Sequence, residues 1–404
     1  MKRILVVTQY IYPENFKSNE LVFELAKRGY QVDVLTGIPN YPEGVYYNGY
    51  GIFKKRFERK GGVNFYRCWQ SPRGRKASGV GLAFNYITFV FSATLWVMFY
   101  FVWKKKYDAI ITHEPSPITQ LIPACLLGLI RRVSVYSWIM DIWPDAMKSS
   151  MSPKLYKLVK PILTSVTEWT YRHSDKILIT SKGFEKLICR NADYNHKIIY
   201  YPNWSVDMSL NKSGFVPPEL PEGFRIMLAG NLGEAQDFES IGECMKLLKD
   251  RVEVKWIFIG DGSKKVWLDS FIKDNGLNET AYTLGRFPGD AMPAFFKEAD
   301  AMLVTLKGGY IDLDMTVPAR VQSYMSAGKP ILGMIGQGTI DLIQEADCGY
   351  AVQPSDYKAL YDVIVNKVLP NIEDFTQKGF NGRAMYEREF TLEKCIDHIE
   401  KIIS

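Results

Sequence analysis

The chain has 404 residues, of which 47% are hydrophobic and 23% charged. That balance excludes a disordered chain, and the length allows two or three domains with ample core. A net charge of +6 gives no reason to expect a nucleic-acid partner.

The N-terminal MKRILVVTQYIYPE has too short an apolar part for a signal peptide and no small-residue cleavage site, so it reads as a buried first strand. A helical stretch from about Ser18 to Arg28 and the strand QVDVLTG follow. The loop IPNYPEGVYYNGYG (Ile38–Gly51) is too rich in Pro, Gly and Tyr for a helix. Its tyrosines suit sugar binding and plain packing equally. From Lys54 to Lys76 stand nine Lys or Arg against one acid, Glu58.

Leu82–Trp103 carries no charge over roughly 22 residues, enough to span a bilayer, and Lys104, Lys105 and Lys106 follow it. Spanning would separate the first two strands from the third strand of the same sheet. An in-plane or shallowly dipping helix docked on the domain is therefore predicted, with Asn85, Thr88, Ser92 and Thr94 on its less apolar face. Leu82, Phe91, Trp96, Phe99 and Trp103 would meet the membrane. Lys104 and Lys105, with Lys54, Lys55, Arg56, Arg59, Lys60, Arg73, Arg75 and Lys76, would meet anionic headgroups at about 1 kcal/mol each. A buried core helix is the alternative.

Further strands read as YDAIITH, VSVYSWIM, KILIT and KIIYYP, separated by helix-length segments. Between Trp204 and Phe224 periodicity gives way to Ser, Asn, Pro and Gly, the mark of an interdomain linker. The alternation restarts with FRIMLAG, VKWIFIGDG, AYTLGRF, ADAMLVTL and KPILGMI. The predicted fold is α/β, two tandem Rossmann-like domains facing a cleft. The domains are 1–204, 205–385, and a C-terminal helix, 386–404, packing back on the first. The six cysteines are scattered with no C-x-x-C pair, so neither a disulfide framework nor a zinc site is expected, and a reducing cytosol fits.

In open α/β sheets, ligands sit beyond the carboxyl ends of the strands. Three Gly-bearing exits of the second half should converge on one wall: AGNLGEAQDF (Ala229–Phe238), GDGSKK (Gly260–Lys265) and LGRFPGD (Leu284–Asp290). The first has the geometry of a phosphate cradle but holds no Lys or Arg. Three sources of positive charge remain. TVPARVQSYM reads as a helix start in which Thr316 caps and Pro318 occupies the first turn; such an end attracts phosphate by about 0.3–1 kcal/mol. Arg320 lies in that turn, where a cation is unfavourable for the dipole and a guanidinium suits bidentate phosphate binding. Lys264 and Lys265 follow the GDG turn. A local salt bridge for Arg320 and a solvated surface for the lysines are the competing readings.

With these motifs the sequence resembles bacterial retaining glycosyltransferases of the GT-B fold, family GT4, and within it a WbuB-like branch of O-antigen and capsule biosynthesis. The resemblance covers nearly the whole chain through QYIYPENF, TGIPNYPEGVYYNGYG, EPSPITQLIPA, MDIWPDAM, YPNW, AGNLGEAQDF, GDGSKK, LGRFP and TVPARVQSYMSAGKPIL. It implies transfer of a sugar from a nucleotide donor to a polyprenyl-diphosphate-linked acceptor, with retention and without metal or other cofactor. Donor is expected in the second domain and acceptor in the first. A UDP-linked N-acetylated deoxy-aminosugar such as FucNAc is the donor it suggests. The location it implies is peripheral, on the cytosolic face of the inner membrane. Two departures stand out: Asn231 and Gln236 replace the Arg and Lys of the wider family's loop, and Met315 and Ser323 stand where that family has a Glu-x7-Glu pair.

The donor-binding set on this reading is Gly230, Asn231, Gly233, Gln236, Gly260, Gly262, Lys264, Lys265, Gly285, Arg286, Thr316, Arg320, Gln322 and Ser323. Gly285 and Arg286 would lie against the base. Acceptor candidates are Asn15, Asn40, Tyr41 and Tyr46. Asp141, in IMDIWPD, just past a buried strand, could accept a proton from the acceptor hydroxyl or cap a helix. His113 and Glu114, at the end of the preceding strand, are the other catalytic candidates. No His cluster suggests a metal, and Asp312 and Asp314 are the only carboxylates near a diphosphate. Rival readings are a sugar-nucleotide epimerase of the same fold and a non-catalytic membrane partner of another transferase.

Overall fold

The computed structural model describes residues 2–75, 79–148 and 151–404. The chain divides into two compact units, one running to Tyr201 and including Ile396–Ser404, the other Pro202–Cys395. The break falls three residues before the expected 204, and only the last nine residues, not 386–404, join the first unit. The reason is packing. Tyr386 and Phe390 belong to the core of the second unit, whereas Asp397 and Glu400 each pair with Arg28 of the first at 2.6 Å.

The first unit runs β1 (Arg3–Val7), α1 (Lys17–Lys27), β2 (Gln31–Gly37), β3 (Phe57–Lys60), β4 (Val63–Cys68), α2 (Gly79–Phe99), β5 (Ala109–Glu114), α3 (Ile122–Arg131), β6 (Val135–Ile139), α4 (Pro153–Arg172), β7 (Lys176–Ile179), α5 (Phe184–Ile188) and β8 (Ile198–Tyr200). Its eight-stranded sheet has the order β3-β4-β2-β1-β5-β6-β7-β8, parallel throughout except for the antiparallel β3–β4 hairpin at one edge. Sequence reading missed that hairpin, whose charged FERK strand lies inside the basic stretch. Its turn is Gly61-Gly62, both at positive φ, as a two-residue hairpin turn requires. Strand order reverses between β1 and β5, so their carboxyl ends flank the crevice where a ligand of this sheet would sit.

The second unit runs β9 (Phe224–Ala229), α6 (Phe238–Leu247), β10 (Val254–Ile259), α7 (Lys265–Asp274), β11 (Ala281–Gly285), α8 (Met292–Lys297), β12 (Ala301–Thr305), α9 (Ile311–Met315), α10 (Ala319–Ser326), β13 (Ile331–Met334), α11 (Gln337–Glu345), β14 (Gly349–Val352), α12 (Tyr357–Val363), α13 (Ile372–Met385) and α14 (Leu392–Ile402), whose last residues return to the first unit. Six parallel strands are ordered β11-β10-β9-β12-β13-β14, with the reversal between β9 and β12. Side chains alternate across β9: Ile226 and Leu228 enter one core, Met227 and Ala229 the other. Burial on both faces is what a continuous apolar strand run encodes.

Candidate functional site

At the carboxyl ends of the second unit's strands, backbone hydrogen bonds lace three exits together. Gly230 N–H donates to Ile259 O at 2.9 Å, Leu232 N–H to Asp261 O at 2.9 Å, and Gly260 N–H to Gly285 O at 2.8 Å. A Cβ on Gly260, which has a φ of +140°, would stand 1.8 Å from Gly230 O. This glycine is demanded by the neighbouring loop, and Gly262 likewise by Leu232 O. Gly230 differs. It is exposed, and the nearest atom to a Cβ built there is Nη2 of Arg320, at 3.7 Å.

Arg320 sits in the first turn of α10, and its Nη1 is buried without a hydrogen-bond partner. The helix opens on Pro318 with no side-chain cap. Thr316, expected to cap it, turns back instead, its hydroxyl donating to Asp312 O at 2.8 Å. The first N–H groups of α10 therefore keep their affinity for an anion. Behind Arg320, the Tyr324 phenol lies 3.4 Å from Ala229 O, and burial raises its pKa.

The two lysines are committed elsewhere. Lys264 Nζ stands 2.5 Å from Glu239 and 3.1 Å from Glu234, and these carboxylates raise its pKa. Lys265 pairs with Asp269 at 2.6 Å. Gln236 is also engaged: its Oε1 accepts from Gly233 N–H at 3.0 Å and its carbonyl from Thr305 Oγ1 at 2.6 Å. Gln322 is buried, and with its amide assigned to satisfy both ends, its nitrogen donates to the Pro318 and Ala319 carbonyls at 3.2 and 3.3 Å. Ser323 Oγ shares a hydrogen bond with Ser205 Oγ at 2.9 Å. Asn231, Gly285 and Arg286 lie at the open side, Asn231 and Arg286 exposed. Of the donor candidates, Gly230, Asn231, Arg286 and Arg320 thus remain available to a ligand, while Gln236, Lys264, Lys265, Thr316, Gln322 and Ser323 serve the scaffold.

In the first unit a polar cluster gathers at the ends of β1 and β5. Gln9 Nε2 donates to Gln70 Oε1 at 2.8 Å and to Asn85 Oδ1 at 2.9 Å, and Gln9 N–H donates to Gln120 Oε1 at 2.8 Å. His113 is fully enclosed, its ring 4.7 Å from Trp138 and both nitrogens unpartnered. Burial pushes its pKa down to about 3, so it stays neutral and out of reach of substrate. That removes it as a catalytic candidate.

Glu114 is also buried; burial and then the Asp141 charge push its carboxyl well above the usual range. Its Oε1 accepts from Ser116 N–H at 2.9 Å. Asp141 keeps partial exposure. Burial raises its pKa, opposed by the Ser116 hydroxyl, which donates to Oδ2 at 2.6 Å and accepts from Trp143 Nε1 at 3.1 Å. Of the three candidates, Asp141 alone meets both solvent and an ordered hydroxyl. Ser116 and Trp143 escaped sequence reading, though both lie within the motifs EPSP and DIWP.

The acceptor candidates divide. Asn15 is exposed. Asn40 is buried, accepting Arg73 N–H at 3.2 Å and donating to Ile38 O at 3.0 Å. The Tyr46 hydroxyl donates to Gln70 O at 2.5 Å. Tyr41 alone is both exposed, at 38%, and close to other rings, 5.3 Å from Phe16 and 6.0 Å from Tyr10. The loop is fixed by Glu14, unremarked in the sequence. Its buried Oε1 accepts the N–H groups of Asn40 and Tyr41, both at 2.7 Å, and burial raises its pKa to about 7.

Helix α2 is amphipathic in reverse. Asn85, Thr88 and Ser92 face inward, bonding to Ser71 and to the Trp69 carbonyl. Ile87, Phe91 and Phe99 point out at 62–77% exposure, and beyond the helix Trp103 at 80%. Leu82 and Trp96 are half-buried, and Lys105 is exposed. Lys104 does not face outward as expected: Nζ lies 3.2 Å from the buried carboxylate of Asp33 and over the Tyr66 ring. Lys76 lies outside the described residues. Residues Gly79–Trp103 are long and apolar enough to cross a membrane by length and composition, yet β4 before them and β5 after them share one sheet.

Residues 18–204 match the family described as Glycosyl transferase 4-like domain, and residues 223–368 match Glycosyl transferases group 1. The chain is 25% identical over 331 residues, 77% of each chain, to the putative colanic acid biosynthesis glycosyl transferase WcaI of Escherichia coli K12. Among solved structures it is similar to Anabaena Alr3699/HepE in complex with UDP, with a TM-score of 0.68 and 14% identity over 100% of this chain and 99% of that one. It is similar too to the lipopolysaccharide outer core galactosyltransferase WaaB, with a TM-score of 0.62 and 13% identity over 99% of each. These two structures establish the GT-B fold.

Proposed function

From a chain built of a glycosyl transferase 4-like domain followed by a group 1 glycosyltransferase domain, we propose an enzyme that moves a sugar from a nucleotide donor to a polyprenyl-diphosphate-linked glycan in bacterial surface polysaccharide assembly. WcaI is described in colanic acid biosynthesis and WaaB in lipopolysaccharide, which favours that setting. The donor binds the second unit, with its diphosphate between the exposed Gly230 and the uncapped start of α10. Arg320 supplies the charge, and Arg286 stands by the base. The HepE complex favours UDP; an N-acetylated deoxy-aminosugar such as FucNAc is the sugar proposed, from the sequence resemblance. Asp141 orients or deprotonates the acceptor hydroxyl, positioned by Ser116. Transfer proceeds with retention and without metal, on the cytosolic face of the inner membrane, where the outer face of α2 holds the protein peripherally.

The observation that carries this reading is the partnerless Nη1 of Arg320 beside Gly230. Charge-assisted hydrogen bonds contribute about 1.5–3 kcal/mol. Calorimetric titration with UDP should therefore show Arg320→Ala binding one to two orders of magnitude more weakly than wild type. Arg320→Lys should recover only part of this, because a point charge lacks the fork. Equal affinity of wild type and folded Arg320→Ala would remove the guanidinium from the site.

A further inference from the structure

We propose that the acceptor lipid lies along α2, its diphosphate held by Arg73 and its hydrocarbon chain in the aromatic groove beside Trp96. This rests on the lipid-diphosphate acceptor proposed above and assigns it a track within the first unit.

Arg73 follows β4 at the carboxyl edge of the sheet. Its guanidinium carbon lies 5.6 Å from the Tyr10 ring centroid and 5.0 Å from that of Tyr41, and its N–H is fixed by Asn40. Rings over the faces of a guanidinium leave its edge of N–H donors for an anion. Nε is buried without a partner, and among the described residues no carboxylate pairs with Arg73. Arg67, on the preceding strand, is already neutralised by Glu58 at 2.9 Å. Arg73 is left as a preorganised cation at the strand exits.

Further along the same helix lies a groove of about 660 Å³, lined by Phe57, Tyr66, Trp69, Trp96 and Phe99 and by Arg56, whose guanidinium lies 5.8 Å from the Trp96 ring centroid. Phe57 and Phe99, exposed by 55% and 77%, carry its lining out to the apolar face of α2. An aromatic trough open to that face and almost free of polar groups fits a hydrocarbon chain, not a sugar. The inner face of α2 joins the two places. The Tyr10 hydroxyl, whose ring flanks Arg73, donates to Asn85, and Ser92, two turns or about 10 Å on, holds the Trp69 carbonyl at the groove. A lipid with an anionic head and an apolar chain meets both features in that order.

The test is calorimetric binding of farnesyl diphosphate to the whole protein without nucleotide sugar, so that it reads the track and not the transferase assignment. Wild type should bind saturably and prefer farnesyl diphosphate to farnesol by about tenfold or more. Arg73→Ala should abolish that preference, with Arg73→Gln as the second variant if the alanine loosens the loop, and Arg73→Lys should restore part of it. Leu95→Trp, which fills the groove from the surface of α2, should weaken farnesyl diphosphate but leave competition by inorganic diphosphate unchanged. Equal binding of farnesol and farnesyl diphosphate, or wild-type affinity in both Arg73→Ala and Leu95→Trp, would overturn the proposal. So would complete displacement by phosphatidylglycerol vesicles, which would make this surface a headgroup contact.

Discussion

Glu14 shows how one buried carboxylate can hold a loop and carry a pH dependence. Its folded pKa, raised to about 7, exceeds the ordinary glutamate value, so the folded chain holds the extra proton between roughly pH 4.5 and 7. Stability should therefore fall as pH rises through that window, by at most about 3 kcal/mol from this group. Glu14→Gln should flatten the dependence in urea melts at pH 5 and pH 7.5; an unchanged slope would mean the carboxyl titrates normally. Gln236 makes a second case. Because its Oε1 satisfies the Gly233 N–H, Gln236→Ala should cost about 1–3 kcal/mol of stability and little UDP affinity. A loss of affinity at unchanged melting temperature would return Gln236 to the ligand. Both roles were illegible in the sequence, since neither a Glu before a Pro-rich loop nor a Gln in a Gly-rich one announces which N–H it faces. Arg320 could be singled out in the sequence, because a cation in the first turn of a helix opposes the dipole and so asks for a reason; the unpartnered Nη1 is what the structure adds.

At the scale of elements, the alternation of apolar runs and helical segments placed nearly every parallel strand. What it missed was the β3–β4 hairpin, where the basic stretch masked a strand of charged residues paired across Gly61-Gly62, and the short edge strand β14, Gly349–Val352. The less apolar face of Leu82–Trp103 was legible from Asn85, Thr88 and Ser92, and so was the outward turn of Phe91, Phe99 and Trp103; the inward turn of Lys104 was not. Asn85, Thr88 and Ser92 bind the protein, and the apolar side is left outside. Two outcomes follow for α2. Asn85→Leu should destabilise the first unit by about 1–3 kcal/mol, since Gln9 and Tyr10 lose a buried acceptor; a neutral result in a thermal melt would contradict the inward assignment. Alkali or high salt should release a substantial fraction of the protein from membranes. Complete retention, with the two ends of α2 reached from opposite sides, would mean that it spans.

For the whole molecule, two parallel sheets of the same kind were foreseeable because their central strands are continuous apolar runs buried on both faces. The division of labour among the Gly-rich exits was not, because a glycine required by a neighbouring carbonyl and one left open to a ligand look alike in sequence. Gly260 is the first kind and Gly230 the second. The proposed transfer depends on a lipid acceptor and needs no metal. The direct measurement is release of nucleoside diphosphate from a panel of nucleotide sugars, with and without a polyprenyl-diphosphate-linked glycan, in excess EDTA. One donor should be turned over, only when the lipid acceptor is present, at a rate EDTA leaves unchanged. Acceptor-independent conversion of the sugar would indicate an epimerase, and no turnover of any donor a non-catalytic partner. Loss of activity on chelation, restored by Mg²⁺, would contradict the account and place Asp312 and Asp314 in the site.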